Sequence, residues 1–287
     1  AGDGKITTKS LLVIDDEADN ASINTNKKEF DPTKINQQIR QIISQFAKSA
    51  YVGYTATPFA NIFIPLANDD LFPRDVIINL PAPDNYIGPE KVFGTSMIPD
   101  ESNDDLLPIV RTIDDYSGFV PEKHKKNDPL PMYNQIPDSL RTALKCFIIT
   151  CAIRMARGQE NKHNSMLIHI TRFQIWQNAI KELVEKLFGY YKSEIEAGDP
   201  IVLEELRCVF EEDTPLYKSY KTVTEEIKAS SFKYIDTRIK VHTWEEIRPL
   251  LFKAVQKIEV KSINGSSGDV LTYYEHEETG VSVIAIG

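Results

Sequence analysis

Four carboxylates follow directly on a short apolar run near the beginning of the chain. The apolar residues occupy 11–14, and Asp15, Asp16, Glu17 and Asp19 come after them. An apolar run of this length predicts a strand buried on both faces of a parallel sheet, and open α/β sheets bind ligands at the carboxyl ends of such strands. Carboxylates this close repel one another unless a cation shares the site, and Mg²⁺ prefers carboxylate oxygens together with substrate phosphates. The stretch therefore predicts a magnesium site, and the alternative is a solvated acidic loop after a core strand.

In a second stretch of the sequence, residues with hydroxyl groups follow a predicted strand, as the carboxylates follow the first one. Residues 51–54 favour a strand, and Thr55 and Thr57 follow it. A helical pattern of apolar residues lies between the two predicted strands. Strand, helix and strand form a βαβ unit, which requires parallel pairing and brings both polar ends to one edge of the sheet. We therefore expect the threonines to lie beside the carboxylates, with Asp16 or Glu17 within hydrogen-bond reach of a threonine hydroxyl.

The two stretches resemble motifs of superfamily 2 helicases. Residues 16–19 (DEAD) are similar to the Walker B sequence of motif II, and residues 55–58 (TATP) are similar to motif III. The resemblance implies Mg²⁺ and ATP as cofactors, with Asp16 holding the metal and Glu17 polarising the attacking water. It also implies that the threonines of 55–58 contact the nucleotide site and couple it to a second lobe. Asp15 is either a further metal ligand or a supporting residue at the strand end, because the register between Asp15 and Asp16 stays open.

The composition limits the class of protein. A chain of 287 residues, 41% hydrophobic and 26% charged, fits roughly two globular domains. The net charge of −9 argues against nucleic-acid binding by the whole surface but is compatible with a local basic groove. The three cysteines form no CxxC pair, so we expect neither a disulfide framework nor a cysteine zinc site. No apolar run approaches the ~20 residues of a membrane helix and no signal sequence is apparent, so we predict a cytoplasmic protein without a membrane partner.

Strands and helices alternate along most of the chain, which predicts an α/β protein with parallel sheets. The order of elements resembles two incomplete RecA-like (P-loop NTPase-type) lobes joined by a proline-rich connector and a helix. The predicted domains are 1–95, part of the first lobe with motifs II and III; 96–163, the proline-rich insertion with its helix; and 164–287, part of the second lobe. The phosphate-binding sequence GxxxxGK[ST] occurs nowhere in the chain. We therefore expect a piece of a larger protein that binds ATP weakly and hardly hydrolyses it alone.

Longer runs of the sequence resemble the bacterial Z1 domain family. Residues 14–25 (IDDEADNASINT) and 53–61 (GYTATPFAN) carry the resemblance, which continues through 166–169 and 283–287. The family is described as endonucleases tied to superfamily 2 helicases and restriction-type systems. The resemblance therefore implies DNA as a partner through the full-length protein, together with partner proteins of a restriction or phage-defence system. It assigns no nuclease residue to any position of this chain.

A nuclease would need its own catalytic residues. Glu259 and Lys261 match the ExK half of a PD-(D/E)xK nuclease, in which carboxylates hold Mg²⁺ and the lysine steadies the attacking water. Asp213 or Asp236 would supply the upstream acid. The alternative is a chance alternation of charges on an exposed strand face.

Two other stretches are candidates for contact with nucleic acid. Thr171 and Arg172 follow the first strand of the second predicted lobe, in the place of helicase motif IV, and 123–126 (KHKK) is a short basic run whose alternative is a solvated loop. Three hypotheses remain open: a DNA-dependent ATPase of superfamily 2 type, a metal-dependent endonuclease, and a non-catalytic interaction module with a degenerate nucleotide site.

Overall fold

The computed structural model shows a mixed α/β protein with parallel strands, which confirms the predicted class. The chain divides into two compact units, 1–81 and 82–287, and each is described by itself. The division into three predicted domains at residues 95 and 163 stays a prediction. The structure describes residues 5–20, 22–24, 33–64, 70–81, 83, 86–93, 109–215, 217–229, 239–263 and 273–287.

The first unit is built on the predicted βαβ element. Strands β1 (Leu11–Asp16) and β2 (Ser49–Tyr54) pair in parallel, and helix α1 (Lys34–Ser44) connects them. The last residues of the two strands lie opposite each other, so both strands end at the same edge. The short helix α2 (Phe59–Ile62) follows directly after β2. The polar stretches that follow β1 and β2 therefore meet at one place, as expected.

Two expectations about burial are wrong in this unit. The side chains of β1 alternate between half-buried and exposed, and Leu12 and Ile14 are 60% and 64% exposed. The reason is that β2 is the only strand paired with β1 among the described residues, and one face of this pair is left uncovered. The apolar run at 76–80 also predicts a buried strand, but the structure shows irregular chain with exposed side chains there, since this segment joins no described sheet.

The second unit contains a three-stranded parallel sheet. Strands β3 (Asn164–Ile168) and β4 (Ile258–Ser262) flank the central strand β5 (Ser282–Ile286). Every residue of β5 is buried, as a central parallel strand covered on both faces requires. The sequence of residues 239–242 (IKVH) also predicts a strand, and this prediction is wrong. The segment is irregular and leads into Thr243, whose side chain caps the next helix.

The helices of the second unit begin and end at recognisable signals. The Asp199 carboxylate accepts the backbone N–H groups of Ile201 and Val202, and Pro200 occupies the first helical position after it. Gly198, at a φ of 71°, ends the preceding helix in the left-handed region. The described helices of this unit are α3 (Pro89–Phe93), α4 (Asp138–Ala156), α5 (Gln174–Ala197), α6 (Pro200–Glu211), α7 (Tyr220–Ala229), α8 (Trp244–Ile247) and α9 (Leu251–Gln256), with 3₁₀ turns at Tyr133–Gln135, Arg248–Leu250 and Tyr273–His276.

The core of the second unit is centred on α4, which contacts α6, α8 and α9. Leu144, Ile148 and Ala152 of this helix are fully buried. They belong to one apolar cluster that also includes Trp176 and Ile180 of α5. The described helices include none that is both long and apolar enough to cross a membrane.

Candidate functional site

The last two residues of β1 and the three residues that follow them carry four carboxylates and lead into a tight turn, and we call this stretch, Asp15–Asp19, the acidic turn. Glu17 has a φ of 57°, the only non-glycine residue with a positive φ in the described part of the chain. Such a conformation is uncommon for a glutamate and costs of order 1–3 kcal/mol unless its surroundings hold it. The Asp16 carboxylate accepts the Glu17 backbone N–H at 3.1 Å. The turn therefore keeps a strained backbone at the residue that the sequence predicts to be catalytic.

The acidic turn is held in place through Ala18, which is only 1% exposed. The Ala18 N–H donates to the carbonyl of Tyr54 at 3.0 Å, and its carbonyl accepts Ser22 Oγ at 3.0 Å and Asn61 Nδ2 at 2.9 Å. A Cβ on Gly53 would lie 2.8 Å from the Ala18 Cβ, so only glycine fits beneath the turn. Strand β2 and helix α2 thus fix the turn from two sides.

A second layer of polar contacts supports the turn from α1. Asn36 is fully buried, and its Nδ2 donates to the Ser22 carbonyl at 2.9 Å and to Asp70 Oδ1 at 2.8 Å. The same Asp70 oxygen accepts the Leu71 N–H at 2.7 Å. Buried polar groups with partners of this kind specify one arrangement of the chain.

The threonines that follow β2 reach the acidic turn at Asp19. Thr57 Oγ1 donates a hydrogen bond to Asp19 Oδ2, and the Thr57 N–H donates to Thr55 Oγ1 at 2.9 Å. The bonds from Thr57 and then Thr55 lower the pKa of Asp19. Asp19 Oδ1 is shielded and has no hydrogen-bond partner within the described residues. The expected contact of Asp16 or Glu17 with a threonine is therefore wrong, because the strained turn places Asp19 there instead.

Asp15 is bound to the neighbouring strand. Tyr51 Oη donates to Asp15 Oδ2 at 2.5 Å. Burial of the phenol and the adjacent carboxylate of Asp15 raise the pKa of Tyr51, so it stays protonated and keeps donating. Asp16 and Glu17 are exposed. Asp15 therefore has a fixed protein partner, whereas Asp16 and Glu17 present carboxylates to solvent.

In the second unit, the two predicted nucleic-acid stretches meet at a cleft of about 540 Å³ beside the end of β3. We call this the basic cleft. His124 Nε2 lies 2.7 Å from Thr171 Oγ1, although the two residues are far apart in the sequence. Arg172 lies next to them, with its guanidinium 5.1 Å from the centre of the Phe173 ring. The residues that line the basic cleft are Glu122, Lys123, His124, Lys125, His169, Ile170, Thr171, Arg172 and Phe173.

Among the residues that the structure describes, those proposed for a nuclease are not joined to one another beyond the pair on β4. Glu259, on β4 and 63% exposed, forms an ion pair with Lys261 at 3.1 Å, so the two charges neutralise each other. The Asp213 oxygens accept the Ser219 N–H at 2.7 Å and the Thr222 hydroxyl at 3.1 Å, which makes Asp213 a cap before α7. No hydrogen bond or ion pair between described residues joins Asp213 to β4. Asp236 lies outside the described residues.

A cluster of two glutamates and a cysteine on the last turns of α6 and just after it was not predicted from the sequence. Ligand atoms of Glu204, Cys208 and Glu212 lie within 4.8 Å of one another. Arg207 already occupies this cluster, since its guanidinium binds Glu204 at 2.6 Å, Glu211 at 2.9 Å and Glu212 at 3.1 Å. The arginine supplies the positive charge that a metal ion would otherwise provide.

The fold and these sites define a mixed α/β protein with an acidic turn on one parallel sheet and a basic cleft on another. Comparison with protein families matches residues 139–287 to the Z1 domain, which is just over half of the 287-residue chain. The chain therefore belongs to the Z1 domain family, as its sequence led us to expect. The match covers the second unit from the start of α4 onward and leaves out the acidic turn, where the sequence resemblance was most specific. No curated protein and no solved structure matches the chain.

Proposed function

We propose that the chain is part of a larger cytoplasmic DNA-dependent ATPase of superfamily 2 helicase type, with RecA-like lobes, which acts in a bacterial restriction or phage-defence system. The acidic turn is its Mg²⁺ and ATP site, and the larger protein supplies the phosphate loop. One observation carries this proposal. Two parallel strands bring the DEAD and TATP sequences to one edge, and Thr57 joins them through Asp19.

The residues present fit a magnesium ion. Asp16 and Glu17 offer exposed carboxylates, and the only hydrogen bond to either one from a described residue is the Glu17 N–H on Asp16. Asp19 adds a shielded oxygen that has no hydrogen-bond partner among the residues that the structure describes. Carboxylate oxygens are the ligands that Mg²⁺ prefers, and the bound ion would neutralise charge on the phosphates. In this proposal Asp16 holds the metal, Glu17 polarises the attacking water, and Asp15 supports the strand end through Tyr51.

The first test replaces Glu17 in the complete protein that carries this chain. Glu17→Gln should lower ATP turnover by roughly 10²–10⁴-fold, because an amide cannot take a proton from water. Binding of nucleotide and DNA should be retained, since the amide still occupies the site. Glu182→Gln, which removes one exposed carboxylate from α5, is the matched control and should leave turnover unchanged. Full turnover in Glu17→Gln would contradict the proposal.

A second test addresses the role of Thr57. Thr57→Val removes the hydroxyl that binds Asp19, whereas Thr57→Ser keeps it. We expect Thr57→Val to lose the stimulation of ATP turnover by DNA, and Thr57→Ser to retain most of it. Equal stimulation in both variants would show that this hydrogen bond does not couple the two activities.

The same assays separate an ATPase from an endonuclease. Plasmid cleavage and ATP turnover are measured for Glu17→Gln, Glu259→Ala and Lys261→Ala beside wild type. Because Glu259 and Lys261 form an ion pair and neutralise each other, we expect neither substitution to change either activity. Loss of cleavage in a folded Glu259→Ala with normal ATP turnover would make the endonuclease the main activity of this region.

A further inference from the structure

The basic cleft concentrates positive charge on a chain whose net charge is −9. Lys123 and Lys125 come from the loop before α4, and Arg172 comes from the junction of β3 and α5. None of the three forms an ion pair with a carboxylate of the described residues. Like charges that face one cleft repel one another, and an anion placed between them relieves the repulsion.

The loop that carries the lysines is fixed in position by His124. The carbonyl of Pro121 can only accept, so His124 Nδ1, which lies 2.7 Å from it, carries the proton. In the neutral imidazole, His124 Nε2 then accepts a hydrogen bond from the Thr171 hydroxyl at 2.7 Å. The imidazole also packs on Trp176 with 4.4 Å between ring centres, and Trp176 Nε1 donates to the Lys125 carbonyl at 3.2 Å. The lysines are thus carried by a preorganised loop.

These contacts give Thr171 a positioning role. Its hydroxyl donates to His124 and accepts the Phe173 N–H at 3.2 Å, and the residue is only 5% exposed. The hydroxyl therefore both donates and accepts a hydrogen bond within the protein. The groups left for a ligand are the cations of Lys123, Lys125 and Arg172. Glu122 is the one acid among the described residues of the lining, and it accepts the Tyr116 hydroxyl at 2.9 Å.

We infer that the basic cleft binds the phosphodiester backbone of a single nucleic-acid strand. The inference deepens the proposed function and rests on it for the choice of nucleic acid as the partner. The described residues of the lining offer cations from two chain segments. They offer no free aromatic face on which a base could stack, because Trp176 is buried and the Arg172 guanidinium lies over the ring of Phe173. Phosphate contacts of this kind position a strand without reading its sequence. Binding at the cleft is therefore independent of base sequence.

The test measures the binding of a labelled single-stranded oligonucleotide to the complete protein by fluorescence anisotropy at several salt concentrations. Lys123→Gln, Lys125→Gln and Arg172→Gln each remove one charge from the cleft. One lost phosphate contact lowers the slope of log affinity against log salt by about 0.7, so affinity at about 0.15 M salt should fall roughly fourfold per substitution. Oligonucleotides of different base sequence should respond alike.

Lys126→Gln is the matched control, because Lys126 is exposed in the same loop but does not line the cleft. It should leave affinity and salt slope almost unchanged. An equal loss in Lys126→Gln and Lys125→Gln, or no loss in any cleft variant, would overturn the inference. Displacement of the oligonucleotide by inorganic triphosphate at the same phosphate concentration would also overturn it, since the cleft would then be a nucleotide pocket.

The two proposals fail in different ways. Glu17 belongs to the first unit and the cleft residues belong to the second, so the two sets of variants alter different units. If wild type shows no ATP turnover but cleft variants still lose DNA affinity, the proposed ATPase is refuted and the cleft is supported. If ATP turnover depends on Glu17 while cleft variants bind DNA normally, the ATPase stands and the cleft inference is refuted.

Discussion

The close approach of Gly53 to Ala18 allows the position of the acidic turn to be tested without altering any charged residue. A Cβ added at Gly53 would lie 2.8 Å from the Ala18 Cβ, well inside van der Waals contact. Ala18 has little freedom to move, because its N–H is bound to Tyr54 and its carbonyl to Ser22 and Asn61. Gly53→Ala must therefore displace the turn or weaken these hydrogen bonds.

We expect Gly53→Ala to lower the free energy of unfolding by about 1–3 kcal/mol, the usual range for overpacking. If this cost falls on the hydrogen bond from the Ala18 N–H to the Tyr54 carbonyl, the Ala18 amide hydrogen should exchange with solvent roughly 5- to 150-fold faster. The reason is that each 1.4 kcal/mol lost from the free energy of opening raises the exchange rate about tenfold. Hydrogen exchange followed by mass spectrometry on a peptide that covers β1 and the acidic turn measures this rate. In the complete protein, ATP turnover should fall in parallel, because Glu17 shares the displaced turn.

Gly189→Ala makes the same substitution where there is room. Gly189 lies in the middle of α5, and a Cβ there would meet no atom within 4 Å. Alanine should therefore stabilise the protein by about 0.5–1 kcal/mol through its better helix propensity and leave exchange at Ala18 unchanged. If the Ala18 amide of Gly53→Ala exchanges at the same rate as in wild type, the argument from close packing is refuted.

Three further predictions follow from hydrogen bonds in the two units. Tyr51→Phe removes the hydroxyl that donates to Asp15 and should cost about 1 kcal/mol in urea unfolding. Because the folded pKa of Tyr51 is raised, this contribution is full below pH ~10 and is lost as the pH rises, and an absorbance titration of the variant should show one late-ionising tyrosine fewer than wild type. Asp199→Ala should cost about 1 kcal/mol in urea unfolding by removing the cap of α6, whereas Asp199→Asn should cost much less. The hydrogen bond from Lys240 lowers the pKa of Glu246 to about 2. NMR titration should therefore give that midpoint in wild type and a higher one in Lys240→Gln. The contribution of Glu246 to stability is full above its unfolded pKa near 4.3 and is lost as the pH falls towards 2.

The βαβ element of the first unit could be predicted because its signals are local. Helical spacing of apolar residues encodes α1, and the length of the connection requires β1 and β2 to be parallel. The burial of β1 could not be predicted in the same way. An apolar run shows that a strand is favoured, but the cover on each face depends on partners elsewhere, and Leu12 and Ile14 remain exposed.

In the candidate sites, too, the sequence does not show which residues the fold brings into contact. The sequence identified the acids after β1, but the choice of Asp19 as the partner of Thr57 depends on the left-handed conformation of Glu17. A glutamate rarely adopts that conformation, so no local preference predicts it. The basic cleft depends on the contact between His124 and Thr171, and nothing in the sequence links two residues so far apart.

Two of the hydrogen bonds on the acidic turn come from one short segment, which gives coupling a physical basis. Thr57 binds the side chain of Asp19, and Asn61 binds the carbonyl of Ala18 one residue earlier. Both bonds must break before the segment from Thr57 to Asn61 can move independently of the turn. The bond to Asp19 also depends on charge, because the threonines lower the pKa of Asp19 and a carboxylate accepts a hydrogen bond more strongly than a neutral acid. A change of charge at the acidic turn therefore alters the restraint on the following helix α2, and this is what a site needs in order to pass a chemical event on to neighbouring structure.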